Sequence, residues 1–161
     1  MDIQTVKGIA ESCLTMAQTL LIRDKVLTPI AISVRKDGKS FPTMLSISKE
    51  EDKDNLPDVL WQLSLTCDGL IVIIDSYMKS VEVPKGGTTL STPPVNGSLK
   101  DDPAASQAIF CLAYVKGQTA VRPVVYQKAT PDATPIFFDQ GWIDTDEGAA
   151  MECHMANPFR N

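Results

Sequence analysis

The five residues from Leu70 to Ile74 are apolar without interruption. Successive strand residues point to opposite faces, so a strand of this composition has to be covered on both faces, which places it inside a sheet. Asp75 ends the run, and Tyr77 follows. A chain of 161 residues, 43% hydrophobic and 22% charged, is long enough for one sizeable core around such a strand. One globular domain over residues 1–161 is therefore expected.

The segments before this run alternate between two periodicities. Ile3, Val6, Ile9/Ala10, Cys13, Ala17 and Leu20/Leu21 recur at helical spacing behind Asp2, a capping residue, and so describe a one-faced helix. From Ile30 the period changes to two, with Ile32 and Val34 on the same side. Asp37-Gly38 then supplies the turn of a hairpin returning through Phe41, Thr43, Leu45 and Ile47. Pro42 cannot donate to a ladder, which puts it at an edge or a bulge. Asp54 or Asn55 caps a second helix with Pro57 in its first turn and Leu56, Val59/Leu60, Leu63 and Cys67 as its buried stripe.

Beyond the central run, residues 83–106 hold four of the eleven prolines and three of the nine glycines, and read as a long loop. Ile109 to Val115 and Ala120 to Tyr126 form a second strand pair around a turn at Gly117. Pro123 again predicts an edge or a bulge. Residues 128–161 read as an acidic wrap, in which Asp144 to Glu147 resembles a capping box opening a short helix through Met155. The expected order is α-β-β-α-β-β-β-α. It predicts an α+β domain with a five-stranded, mainly antiparallel sheet and its helices packed on one face.

Three blocks, "LLIRDKVLTPIAISVRKDGK" (20–39), "GLIVIIDSYMKS" (69–80) and "DDPAASQAIFCLAYVKG" (101–117), resemble an uncharacterised group of small bacterial and phage-encoded proteins. In that group an acidic residue and an aromatic also follow the central strand, and an Asp-Pro precedes the next one. Asp75 and Tyr77 stand where the group's pattern has Glu and Trp. The resemblance implies the element order and assigns no activity. The order itself is similar to that of roadblock and profilin-like domains, usually binding or assembly modules, a likeness of topology alone.

Charge narrows the partners. Six acids between Asp132 and Glu152 stand against Arg160, so residues 132–161 carry the whole net charge of −5 and residues 1–131 are neutral. An acidic segment beside a neutral body offers no basic surface for nucleic acid or an anionic membrane. The expectation is no nucleic acid and no membrane, with a solvated acidic face or a basic protein partner. The start, Met1-Asp2-Ile3-Gln4, has no basic region ahead of an apolar stretch, so the expected compartment is the cytoplasm. There the four widely spaced cysteines read as thiols.

Asp75, Tyr77 and Lys79 alternate along the strand and would project to one face if it continues past Ile74. In a pocket, burial would raise the Asp75 pKa and Lys79 would lower it, tuning a general base. The plainer reading ends the hydrophobic segment at Asp75, paired with Lys79 or bonded to backbone, while Tyr77 packs. His154, the only histidine, lies beside Cys153 and seven residues after Glu147, a weak metal-site candidate. No cofactor fingerprint is present: "PKGGTT" lacks phosphate-loop spacing and "DTDEG" lacks the remaining ligands of a calcium loop. Since Ile109 to Val115 is apolar on both faces, that strand is either central or completed by a second copy, the one hint of a homodimer. The sequence thus points to a non-enzymatic interaction or assembly module. The alternative is an enzyme or small-ligand binder with Asp75, Tyr77 and Lys79 under the 83–106 loop.

Overall fold

The computed structural model describes residues 1–46, 54–83, 87–91, 106–144, 151–152 and 156–159, with backbone alone for 77–83, 87–91, 144 and 151–152. Helix α1 (Ile3–Asp24) is followed by β1 (Ile30–Val34), β2 (Ser40–Met44), α2 (Leu56–Ser64), β3 (Gly69–Val83), β4 (Gly87–Ser91), β5 (Ser106–Val115), β6 (Gln118–Gln127), β7 (Ile136–Asp139), β8 (Ile143–Asp144) and β9 (Met151–Glu152). The fold is an α+β domain. Six strands form an antiparallel sheet in the order β2-β1-β3-β5-β6-β7, and among the described residues the element order ends in strands.

Four expectations are corrected, the last of them the placing of both helices on one face. The sheet has six strands along its path because the apolar "IFF" segment, read as part of a wrap, pairs with β6 as β7. The described parts of the segment expected to form a last helix are extended: Ile143–Asp144 pairs with β6 and Met151–Glu152 with β4. The long loop at 83–106 contains a strand, β4, which runs antiparallel to the end of β3.

The helices do not share a face. Helix α1 buries Val6, Ala10, Leu14 and Leu21 against Ile71, Ile73, Ile109 and Cys111, the odd-numbered positions of β3 and β5. Helix α2 lays Leu56 and Leu60 over Leu70, Val72, Phe110 and Leu112, the even-numbered ones. This division is what uninterrupted apolar strands require, since a helix on one side leaves the other side wet. In β5 every residue from Ala108 to Val115 is buried, and each fully buried aliphatic side chain stabilises by roughly 1.5–3 kcal/mol.

Local chemistry fixes the ends of these elements. The Asp2 carboxylate accepts from the Gln4 N–H at 3.2 Å at the start of α1. Lys25, at φ 62°, closes its C-terminus by donating its N–H to the Leu21 carbonyl. Helix α2 starts at Asn55 without a side-chain cap, with Pro57 in its first turn. The β1–β2 hairpin closes through Arg35 N–H to the Lys39 carbonyl at 2.9 Å, with Gly38 at φ +83°, the left-handed position of a three-residue loop.

Both prolines fall where a missing N–H does least harm. Arg35 and Leu45 bond across the hairpin to Lys39 and Pro29, so the alternation turns the backbone of Pro42, opposite Ile32, toward the edge of β2 that is unpaired among the described residues. Strand β6 is interior to the path, and there Pro123 coincides with a break in its outer partner. Val124 pairs with Asp139 and Val121 with Ile143, so Arg122 and Pro123 face Gln140, Gly141 and Trp142. The Pro123 carbonyl accepts from the Gln140 N–H at 3.0 Å, and Gly141 takes φ +72° in the bulge.

Candidate functional site

Strand β3 carries Ile71, Ile73 and Asp75 on the α1 face. Asp75 lies opposite Ile109 of β5, which lies opposite Val124 of β6. Two residues further along β6 the Tyr126 side chain reaches back across β5. It donates its hydroxyl to the carboxylate, 2.8 Å from each oxygen of Asp75. Tyr126 is buried and its ring centroid stands 6.1 Å from that of Phe137, its register partner in β7, at 57°. The half-buried Asp75 carboxyl is pushed above its ordinary range by burial. The Tyr126 hydrogen bond opposes this first, then the charge of Lys128, then the Ser76 backbone N–H.

The sequence expects Asp75 to pair with Lys79, four residues on, or to bond to a backbone N–H, and the Ser76 N–H does bond to it. Strand β3 does continue, with the backbone of Tyr77 opposite Gln107 and that of Lys79 opposite Ser91. The side chains of Tyr77 and Lys79 lie outside the described residues, as do Cys153, His154 and Glu147. The residue whose side chain engages Asp75 is Tyr126, which the sequence reading placed as a strand end without a role. Finding it requires the register of two successive strand pairs, β3 with β5 and β5 with β6.

The pairing changes at this place. Strand β3 pairs with β5 as far as Met78, opposite Ser106, and from Lys79 to Val83 it pairs with β4. Strand β4 in turn meets β9 at Leu90 and Ser91. Asp75 and Tyr126 therefore tie β3 to β6 three residues before β3 leaves β5. No family model, curated protein or solved structure matches the chain.

A second polar cluster sits where the bulge after β7 meets α1. Arg122 forks onto Asp139, with Nη2 2.7 Å from Oδ2 and Nε 3.0 Å from both oxygens, and its Nη1 donates to Glu11 at 3.0 Å. Trp142 Nε1 donates to the same Glu11 oxygen at 3.0 Å. The Trp142 ring has Lys7 Nζ at 5.6 Å and the Arg122 guanidinium at 5.9 Å. The guanidinium holds the Asp139 carboxyl below the usual range. These groups satisfy one another and fasten α1 to the outer strands, so the cluster serves as a clasp.

The described thiols are equally settled. Cys13, Cys67 and Cys111 are free, and burial pushes all three pKa values up, that of Cys111 to about 12. Thiols held protonated in this way are poor nucleophiles. Among the described residues no cluster of His, Cys, Asp and Glu could hold a metal ion, and no helix is long and apolar enough to cross a membrane.

Proposed function

We propose that the chain is a non-enzymatic protein-interaction module whose contact element is the β3–β4 ladder beyond Met78, and that its partner presents an extended basic segment. The observation that carries this reading is the overrun of β3. Its last five residues pair with β4 and none of them with β5. Among the described residues, the pairing of β4 to β9 covers Leu90 and Ser91, leaving Gly87 to Thr89 paired to β3 alone. An edge of this kind recruits a further strand through main-chain hydrogen bonds. Strand β9 belongs to the segment 132–161 that carries the net charge of −5, so a basic partner is the electrostatic complement.

The expectation of a homodimer has lost its motive. Strand β5 was apolar on both faces because it is central in its own sheet, flanked by β3 and β6. The resemblance to the uncharacterised bacterial and phage-encoded group is compatible with an interaction role and supplies no activity of its own.

The test places a photo-crosslinking residue at Thr88 of β4 and, as a control, at the exposed Val59 of α2, in the cells that make the protein. The expected outcome is one discrete adduct to a basic polypeptide from position 88, weakened by high salt, and none from position 59. An adduct of twice the chain mass reassigns the partner to a second copy. No adduct at position 88, or the same pattern from both positions, removes the reading.

A second reading rests on Asp75, whose half-buried carboxylate with a raised pKa is a recurrent property of ligand and catalytic sites. Here a small molecule takes the place of the protein partner, with Asp75, Tyr77 and Lys79 as the contact row. Loss of ligand-induced thermal stabilisation on Asp75→Asn, in a metabolite screen where the unaltered chain is stabilised, would decide for it.

A further inference from the structure

We propose that Asp75 and Tyr126 form a protonation-controlled latch at the root of the β3–β4 ladder. This concerns the regulation of the contact element named above and rests on that reading for its biological use. The latch itself is a property of the isolated chain.

The geometry has three parts. The Asp75 carboxylate sits at the end of an apolar row, after Ile71 and Ile73, beside Ile109 and in line with Val124, all four buried. Its side-chain partner comes from β6, so the bond spans β5 and ties together two strands that do not pair with each other. Three residues later β3 parts from β5, and every later residue of it is paired with β4. Releasing the tie leaves the root of the ladder held to β5 by the three pairs beyond Asp75, Ser76 with Ala108, Tyr77 with Gln107 and Met78 with Ser106, while α1 and α2 keep their seats on the rest of the sheet.

Among the described residues, few charges compete for this carboxylate. From the end of β6 it meets the Tyr126 hydroxyl and the Lys128 ammonium. Strand β5 presents Ile109 and β7 presents Phe137 next to Tyr126. On α1 the charged residues are committed elsewhere: Lys7 and Glu11 at the clasp, Arg23 and Asp24 to each other at 2.8 Å. Lys25, just beyond α1, reaches Asp132 at 3.1 Å. The side chains of Tyr77 and Lys79 lie outside the described residues.

The sign follows from linkage. In the latched state burial outweighs the Tyr126 bond and the Lys128 charge, so Asp75 holds its proton to higher pH than it would in water. Protonation then favours the latched state. As pH rises through the raised value, the charged carboxylate gains more by hydration than the latch returns, and the root of the ladder opens more often.

Amide hydrogen exchange on the isolated full chain tests this from pH 4.5 to 8, corrected for intrinsic rates, with residues 109–115 as the reference. The expected result is protection of residues 76–83 that falls with pH in the unaltered chain. In Asp75→Asn it should stay flat and, at pH 7, severalfold higher. Tyr126→Phe should lower it severalfold at the alkaline end of the range. Superimposable profiles for the unaltered chain and Asp75→Asn overturn the latch, and this comparison decides even if Tyr126→Phe does not fold. A latch that fails beside a surviving position-88 adduct leaves the interaction reading intact. A latch that holds without any adduct removes that reading and keeps the switch.

Discussion

Tyr126 and Asp75 are the pair of residues on which the polar part of the core turns. Removing the hydroxyl in Tyr126→Phe withdraws the hydrogen bond to Asp75, a cost of about 0.5–1.5 kcal/mol for a neutral acceptor and about 1.5–3 kcal/mol for an ionised one, to be read from urea unfolding across the pH range. It also removes the largest influence holding the Asp75 pKa down, so that pKa should rise further in the variant, as carboxyl chemical shifts would report. The raised Asp75 pKa has a defined effect on stability. Its contribution is present in full below the unfolded value of about 4 and is lost as pH rises through the folded value. Asp75→Asn should therefore gain on the unaltered chain in melting temperature across that window. A difference that shrinks with rising pH would contradict the assignment. Cys111, with its thiol pushed to about 12 and no exposed surface, should stay unmodified by iodoacetamide at pH 8 in the folded protein and react once urea unfolds it. Asp75 was legible in the sequence as the break in an apolar run. Tyr126 was not, because its role depends on register, and register is fixed by pairings that no local pattern encodes.

At the scale of elements, helices and strands were readable wherever an apolar period ran for several residues. The stripe of α1, the Asp-Gly hairpin, and strands β3, β5 and β6 all follow from such patterns. Strands β7, β8 and β9 are two to four residues long, too short for any period to establish itself, and Asp144 with Glu147 imitated a helix start. Placing both helices on one face contradicted what the apolar runs already implied, since Leu70 to Ile74 offers two dry faces. A close fit between elements lies at Gly69, where an added Cβ would stand 2.6 Å from Val6 Cγ2 and 3.0 Å from Met1 Sδ. Gly69→Ala should cost about 1–3 kcal/mol by overpacking α1 on β3, measurable by denaturant unfolding. At the far edge, Pro42→Thr would restore an outward N–H on β2, beside the exposed Phe41 and Met44. Greater self-association by light scattering is expected, because the proline blunts an edge otherwise open to pairing.

For the whole molecule, both cores hang on the same strands, since β3 and β5 give their odd positions to α1 and their even ones to α2. Damage on either face should then appear in one transition. Leu60→Ala, which opens a cavity under α2, is expected to cost about 2–5 kcal/mol, and fluorescence and circular dichroism should report the same midpoint. Separate midpoints would mean that each face unfolds by itself. The seat of α1 on the sheet also has a consequence in time. Helix α1 is made first, but its apolar stripe rests on β3, β5 and β6, and β6 is complete only at Gln127. At a synthesis rate of about 5–20 residues per second, the stripe waits roughly 5–20 s on the ribosome for its seat. Throughout that interval the newborn chain carries an uncovered amphipathic helix, and whatever shields it there acts before the sheet that will cover it exists.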